Sequence, residues 1–101
     1  MNSSIPGIEN QYSHQILALF RPLKKEMSVI LFGSRAKGNY REGSDIDIAI
    51  KGDTVTLKDR DRWLQKYETL NFPWKLDIVI YHFIKEGKLT EHIDRVGIKI
   101  A

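Results

Sequence analysis

The sequence predicts an α+β domain in which a small mixed β-sheet is backed by helices on one face. Short apolar runs alternate with amphipathic stretches in the order α, β, β, α, β, α, followed by a candidate last strand. Two of the runs alternate apolar and polar residues with period 2, which is typical of strands with one face in a core. At 101 residues the chain has room for one modest core, so residues 1–101 are expected to form a single domain.

The N-terminal part of the chain predicts a helix behind a short lead-in. Residues 1–10 combine proline, glycine and small polar residues, and are expected to be loose. Apolar residues then recur at helical spacing over residues 11–25, with Ser13 as the candidate N-cap. Pro22 predicts that this helix ends or kinks near Phe20, because proline cannot continue a regular helix.

Two strand-like runs flank a polar loop. Residues 28–32 are apolar on both faces, as expected of a strand in the middle of a sheet. Residues 33–44 predict a loop with one helical turn around residues 35–37. Residues 45–51 predict a second strand whose isoleucines all point to one face. The loop is long enough for either pairing direction, so the order of the strands stays open.

A second helix is predicted over residues 57–70. Thr56 is its candidate N-cap, and Asp59 stands three residues later in the capping-box position. The apolar stripe of this helix predicts packing against the sheet. Its members are Trp63, Leu64, Tyr67 and Leu70.

The C-terminal third predicts a strand, a short helix and an edge strand. Residues 75–81 alternate with period 2 and carry an aspartate within an apolar run. Thr90 is the candidate cap of the short helix, and Gly97 occupies a natural position just after its end. Residues 98–100 complete the sheet as a candidate edge strand.

Composition and charge are typical of a soluble globular protein and exclude some kinds of site. The chain is 42% hydrophobic and 29% charged, as in soluble globular proteins. Its net charge of +3 is spread among mixed signs, so direct nucleic-acid binding is not expected. It contains no cysteine, which excludes disulfides and thiolate metal sites. Because the start lacks a signal-peptide pattern and no apolar run reaches the roughly 20 residues of a membrane span, we expect a cytoplasmic protein.

Three aspartates interrupt strand-like runs, and aspartate is among the residues most depleted from strands. They are Asp45, Asp47 and Asp77. If their two strands are neighbours, the three carboxylates converge on one patch and repel one another unless a cation lies between them. A cluster of oxygen ligands without histidine or cysteine favours Mg²⁺ or Mn²⁺. The sequence therefore predicts a divalent metal site at these aspartates.

A Gly-Ser turn follows the first strand and offers features that bind phosphate. Glycine lets a phosphate approach the backbone closely, and successive N–H groups in a turn can point at an anion. The loop matches neither the P-loop nor the dinucleotide fingerprint, so alone it is weak support. The candidate nucleotide-binding residues are Gly33, Ser34, Arg35, Lys37 and Ser44. The ordered set of strand, Gly-Ser, Asp-x-Asp and a later aspartate makes the prediction specific.

The stretch GSRAKGNYREGSDIDIAI resembles the signature of the polymerase-β-type nucleotidyltransferase superfamily, and specifically of its minimal nucleotidyltransferase (MNT) branch. The resemblance implies a nucleotidyltransferase fold in which Gly33 and Ser34 hold the triphosphate. It implies that Asp45 and Asp47 bind two Mg²⁺ ions. It also implies that Asp77 completes the metal site and helps to deprotonate the attacking hydroxyl.

The resemblance also implies a reaction and a partner. An acceptor hydroxyl would attack the α-phosphorus of ATP, transferring AMP and releasing pyrophosphate. MNT proteins resemble subunits of two-protein systems with a small helical HEPN-type partner, so a hetero-oligomer is expected. The partner is either an RNase toxin that receives AMP or a substrate-binding subunit, and the segment LNFPWKLDIVIY resembles the second kind. The alternative is an antitoxin or scaffold that binds its partner by contact alone, without catalysis.

Other polar and aromatic residues favour structural interpretations. The three histidines, His14, His82 and His92, share no metal-ligand spacing with the aspartates and are expected at the surface or at helix ends. Trp74, beside a turn, is expected to pack at the edge of the core.

Overall fold

The computed structural model describes residues 4–101 as a four-stranded mixed sheet with four α-helices. In chain order the elements are α1 (Asn10–Ala18), β1 (Ser28–Phe32), α2 (Gly33–Lys37), β2 (Ile46–Lys51), α3 (Leu57–Glu68), β3 (Leu76–Ile80), α4 (Gly87–Val96) and β4 (Ile98–Lys99). A short 3₁₀ turn at Tyr81–Phe83 follows β3. The α+β fold class predicted from the sequence is confirmed. None of the helices within residues 4–101 is long and apolar enough to cross a membrane.

The sheet has the strand order β3-β2-β1-β4, which decides the pairing that the sequence left open. β1 lies inside the sheet, antiparallel to both β2 and β4, as its apolar character on both faces predicted. β3 pairs with β2 in parallel, because α3 carries the chain back across the sheet between them. β2 and β3 therefore begin at the same end of the sheet, where Asp45 and Asp77 lie.

Helices lie on both faces of the sheet. α1 and α3 pack their apolar residues on the face formed by the isoleucines of β2 and by Val29 and Leu31. α4 packs on the opposite face, where Ile93 meets Phe32 and Ala49. The sequence predicted helices on one face only. The difference has a physical reason: β1 is apolar on both faces and requires cover on both.

The segment before α1 is part of the core and is not a loose lead-in over residues 4–10. Ile5 and Ile8 are 1% and 6% exposed. Ser13 is not the N-cap, since α1 begins after Glu9. Instead the fully buried Ser13 hydroxyl accepts a hydrogen bond from the Ile5 N–H and donates one to the Ile8 carbonyl. Residues 1–3 lie outside the described part of the chain.

The capping box at the start of α3 is confirmed. The Thr56 hydroxyl accepts from the Asp59 N–H, while the Asp59 carboxylate accepts from the Thr56 N–H at 2.9 Å. Asp59 is buried and also forms a 2.6 Å ion pair with Lys24, which precedes β1. The cap thus joins α3 to the segment between α1 and β1.

The two ends of α4 differ from the prediction. The helix begins at Gly87, and the Thr90 hydroxyl lies inside its first turn, where it donates to the Gly87 carbonyl. Gly97 ends the helix with φ −62°, so it does not adopt the left-handed conformation typical of a glycine cap. Glycine is needed there for space, since a Cβ would lie 2.4 Å from the Ile93 carbonyl oxygen.

Candidate active site

The three predicted aspartates lie on one face at one end of the sheet. Asp47 on β2 faces Asp77 on β3 in the parallel register, and it faces Phe32 on β1 in the antiparallel one. Asp45 is exposed just before β2, two residues from Asp47, and period 2 places it on the same side. The tertiary fold therefore brings together the carboxylates that the sequence predicted to converge.

Gly33 lies directly against the Asp47 carboxylate. Its φ is +75°, a conformation that favours glycine, and a Cβ built there would lie 2.1 Å from Asp47 Oδ2. The Gly-Ser turn at the start of α2 and the central aspartate of β2 are thus in contact.

The charges around Asp47 oppose its ionisation. Burial raises the pKa of the Asp47 carboxyl above its ordinary value, and the negative charges of Asp77 and Asp45 raise it further. His92 and Lys75 act in the opposite direction with smaller effects on this pKa. A cation between the carboxylates would relieve the repulsion, because it favours the charged form of each.

The donor set fits a hard divalent cation, although it is not arranged as a finished metal site. Within residues 4–101, no three acidic, histidine or cysteine side chains are positioned together as metal ligands. The oxygen donors are nevertheless of the kind that Mg²⁺ and Mn²⁺ prefer. Asp45 is exposed and carries no described hydrogen bond that would hold it away from such an ion.

His92 is a residue of this site that the sequence analysis missed. Its ring contacts that of Phe32 edge-to-face at 6.1 Å between centroids, so α4 places an imidazole beside the row formed by Phe32 and Asp47. A sequence signal for this position exists, since His92 belongs to the stripe of α4 that faces the sheet. The members of that stripe are Leu89, His92, Ile93 and Val96.

Arg35 braces the loop before Asp45. Its side chain is 1% exposed and donates to the carbonyl oxygens of Pro6 at 2.7 Å, Ser44 at 2.9 Å and Glu42 at 3.2 Å. Burial lowers the pKa of its guanidinium below the ordinary value. A contact between Arg35 and a nucleotide stays a prediction. The described hydrogen bonds of Arg35 hold the loop in position.

The other candidate nucleotide-binding residues differ in burial and in their contacts. The Ser44 hydroxyl accepts a 2.7 Å hydrogen bond from the Arg41 N–H and so closes the turn before Asp45. Ser34 is half-buried beside Gly33, whereas Lys37 is exposed at the end of α2. Nucleotide binding by these residues stays a prediction.

Comparison with known protein families identifies the family of this chain. The family model described as polymerase beta, nucleotidyltransferase matches residues 14–101. The chain belongs to this family. It is a nucleotidyltransferase, as the Gly-Ser and aspartate motif predicted.

Two curated relatives carry related names. The chain is 28% identical over 103 residues to a protein of Methanocaldococcus jannaschii named "Putative protein adenylyltransferase", covering 85% of this chain and 99% of that one. It is 29% identical over 65 residues to the "Probable protein adenylyltransferase MntA" of Haemophilus influenzae. That match covers 63% of this nucleotidyltransferase and 57% of MntA.

Solved structures share the fold. A crystal structure of a toxin-antitoxin with AMP-PNP superimposes with a TM-score of 0.68 at 26% identity, covering 87% of this chain and 71% of that one. A complex of a tri-AMPylated Shewanella oneidensis HEPN toxin with an MNT antitoxin superimposes with a TM-score of 0.61 at 24% identity, covering 87% and 67%. The second likeness concerns the fold alone.

Proposed function

We propose that this nucleotidyltransferase moves AMP from ATP, in the presence of Mg²⁺, onto a hydroxyl of a HEPN-type partner protein. The observation that carries the proposal is the contact of Gly33 with Asp47, where Asp47 faces Asp77 across two parallel strands. The names of the two curated relatives support a protein acceptor. The likeness to a toxin-antitoxin structure with AMP-PNP supports an adenine nucleotide and a protein partner.

In the proposed reaction, the acceptor oxygen forms a bond to the α-phosphorus of ATP. The bond from that phosphorus to the bridging oxygen breaks, and pyrophosphate leaves with the electron pair. Asp45, Asp47 and Asp77 would hold the divalent metal, which neutralises charge on the entering and leaving oxygens. Asp77 stands on β3 at the edge of the sheet, where it can accept the hydroxyl proton from an incoming acceptor. The Gly33-Ser34 turn would receive the triphosphate.

A labelling experiment tests this function. The protein, α-³²P ATP and Mg²⁺ are incubated with candidate HEPN-type proteins, and label on the partner is measured. Asp47→Asn is expected to abolish transfer, because the central metal-binding charge is lost. Asp53→Asn is the matched control, since Asp53 is exposed beyond the opposite end of β2. Circular dichroism checks that both variants are folded.

The outcomes also separate catalysis from the contact-only alternative. Label on the partner with the parent chain and with Asp53→Asn, but not with Asp47→Asn, supports AMP transfer. Stable binding and neutralisation of the partner by Asp47→Asn, with no label from any variant, would instead support an antitoxin that acts by contact. Label in RNA or in a small molecule would support nucleotidyl transfer, but the acceptor would then not be a protein.

A further inference from the structure

Helix α4 covers the same face of the sheet that carries the aspartates. Phe32 on β1, Asp47 on β2 and Asp77 on β3 are partners in the strand register, so their side chains form one row on that face. α4 packs on this face, and it also lies against α2, the helix that begins with the Gly-Ser turn. α4 therefore borders both the row of side chains and the turn.

His92, on α4, lies at the β1 end of this row. Its ring contacts that of Phe32 edge-to-face, with 6.1 Å between the ring centroids. Phe32 immediately precedes Gly33, whose backbone lies against the Asp47 carboxylate. The imidazole is therefore next to the Gly-Ser turn. The electrostatics agree with this position, since burial and the neighbouring carboxylates raise the pKa of Asp47, whereas the charge of His92 lowers it.

The ring nitrogens of His92 are accessible to a ligand. His92 is partly exposed, and within residues 4–101 no described hydrogen bond engages its imidazole. No buried side-chain nitrogen or oxygen in that part of the chain lacks a hydrogen-bond partner, so the imidazole nitrogens must reach solvent. Arg35 differs, because its guanidinium donates to three backbone carbonyls. His92 thus offers a ring nitrogen to a bound phosphate, whereas the described donors of Arg35 are engaged by the backbone.

The proposed reaction has its leaving group on the β1 side of the row. In the AMP transfer proposed above, on which this inference rests, the acceptor hydroxyl approaches Asp77 on the edge strand β3. In an in-line displacement, the entering and the leaving oxygens lie on opposite sides of the α-phosphorus. Neighbouring strands lie roughly 4.8 Å apart, so the two ends of the row are separated by about 10 Å. Pyrophosphate would therefore leave toward Gly33 and His92.

We propose that His92 binds the leaving pyrophosphate, with one ring N–H donating a hydrogen bond to a nonbridging oxygen of the β- or γ-phosphate of ATP. This hydrogen bond holds the triphosphate on the side away from Asp77, so the bond that breaks lies along the line of attack. His92 keeps its proton throughout, and the negative charge that develops on the pyrophosphate strengthens the hydrogen bond. The contact with Phe32 fixes the orientation of the ring.

A binding experiment tests this role without requiring an acceptor. In the presence of Mg²⁺, the full chain is titrated with α,β-methylene-ATP, which cannot release pyrophosphate, and separately with AMP, which lacks the β- and γ-phosphates. His92→Phe keeps an aromatic ring against Phe32 and removes the hydrogen-bond donor. We expect this variant to bind α,β-methylene-ATP about tenfold more weakly and to bind AMP as the parent chain does. Equal affinity of the parent chain and His92→Phe for α,β-methylene-ATP would overturn the proposal, and so would an equal loss of affinity for AMP.

Two further variants separate the hydrogen bond from packing. His92→Gln retains an N–H donor, so it should bind α,β-methylene-ATP more tightly than His92→Phe does. His82→Phe is the matched control, because His82 is exposed in the turn after β3, beyond the end of the strand that is distant from Asp77. This control should bind both nucleotides as the parent chain does. Circular dichroism and thermal unfolding check that each variant is folded.

A measurement on the parent chain requires no variant. Inorganic pyrophosphate with Mg²⁺ should shift the ring ¹⁵N signals of His92 beyond the shift that Mg²⁺ alone produces. The ring signals of His82 serve as the internal reference and should stay in place. Failure of pyrophosphate to shift the His92 signals would overturn the proposal, whatever the variants do.

A kinetic measurement with an acceptor protein links His92 to the reaction. His92→Phe should raise the KM for ATP by about tenfold and leave the KM for the acceptor unchanged. An unchanged KM for ATP would contradict the proposal. If no protein accepts AMP but the binding results hold, the proposed function fails while the phosphate contact of His92 stands. If AMP is transferred and His92→Phe binds and reacts as the parent chain does, this inference alone fails.

Discussion

At the residue scale, one glycine leaves the space that the central carboxylate occupies. Gly33 combines a positive φ with a contact that leaves no room for a side chain, because the Asp47 carboxylate occupies that space. The sequence predicted Gly33 as a phosphate-binding residue. The structure adds a second requirement for glycine here, namely the close approach of Asp47.

Gly33→Ala is therefore expected to impair activity more than stability. The left-handed backbone costs an alanine about 1–2 kcal/mol, and displacement of Asp47 should lower the transfer rate by about a hundredfold. Gly38→Ala is the matched control, since Gly38 has φ +91° but no atom within 4 Å of an added Cβ. Urea unfolding and AMP-transfer rates measure the two effects. Similar rates for the two variants would contradict a specific role for the Gly33 contact.

The surroundings of His92 depend on how α4 packs in the fold. The spacing of α4 puts it on the apolar stripe, and packing of that stripe on β1 brings the imidazole to Phe32. The isolated sequence offers no link between His92 and the aspartates, because 15 positions separate it from Asp77 and α4 could have packed on either face. Its relation to Asp47 follows from the tertiary contact alone.

At the element scale, the start of α3 is the segment for which local sequence is most informative. Thr56 and Asp59 satisfy each other's backbone N–H groups, as the capping-box pattern predicted. The sequence does not show that Lys24 completes this arrangement, because Lys24 lies 35 positions away from Asp59. The charge on Lys24 and the hydrogen bonds from Thr56 and Arg62 hold the pKa of Asp59 well below its usual range, although burial opposes this.

This lowered pKa predicts how stability depends on pH. The folded protein binds a proton at Asp59 less readily than the unfolded chain does, whose carboxyl titrates near pH 4. The stabilisation is therefore complete above about pH 4 and is lost progressively as the pH falls below it. Asp59→Asn should lower the free energy of unfolding by about 1–2 kcal/mol at pH 7, and by less at pH 3.

Urea unfolding at pH 7 and pH 3 checks this expectation. Asp61→Asn is the control, because Asp61 is exposed on the same helix. The interpretation fails if the difference between the parent chain and Asp59→Asn is as large at pH 3 as at pH 7.

At the scale of the whole molecule, Arg35 connects segments that are distant in sequence. Its guanidinium joins the N-terminal segment at Pro6 to the loop residues Glu42 and Ser44. Tyr40 covers it, with the guanidinium carbon 5.3 Å from the ring centroid. The loop that leads to Asp45 is therefore positioned by a side chain from α2, the helix that begins with the Gly-Ser turn.

Arg35→Lys tests this connection. A lysine ammonium cannot reproduce the planar set of donors that reaches three carbonyls, so part-buried acceptors lose their partners. We expect a loss of about 2–3 kcal/mol in stability and a faster cleavage of residues 38–44 by protease. Arg41→Lys, an exposed change in the same loop, is the control. Equal melting temperatures and equal cleavage rates for the two variants would show that Arg35 does not brace the loop.

The amino-acid sequence by itself determined the features that depend on neighbours along the chain. The alternation in β2 and β3, the capping box of α3 and the Gly-Ser and aspartate motif are local patterns, because backbone geometry sets their periods and spacings. Those patterns were sufficient for the α+β class and for the family, whereas the catalytic role of the three aspartates stays a prediction.

Tertiary structure alone decided what depends on contacts between distant segments. These features are the parallel pairing of β3 with β2, the packing of α4 on the aspartate face, the burial of Ile5 and Ile8, and the engagement of Arg35 with the loop. The physical reason is that burial and register depend on which surfaces meet when the whole chain closes around its core. Local periodicity shows which face of a segment is apolar, whereas the partner of that face is chosen by the complete fold.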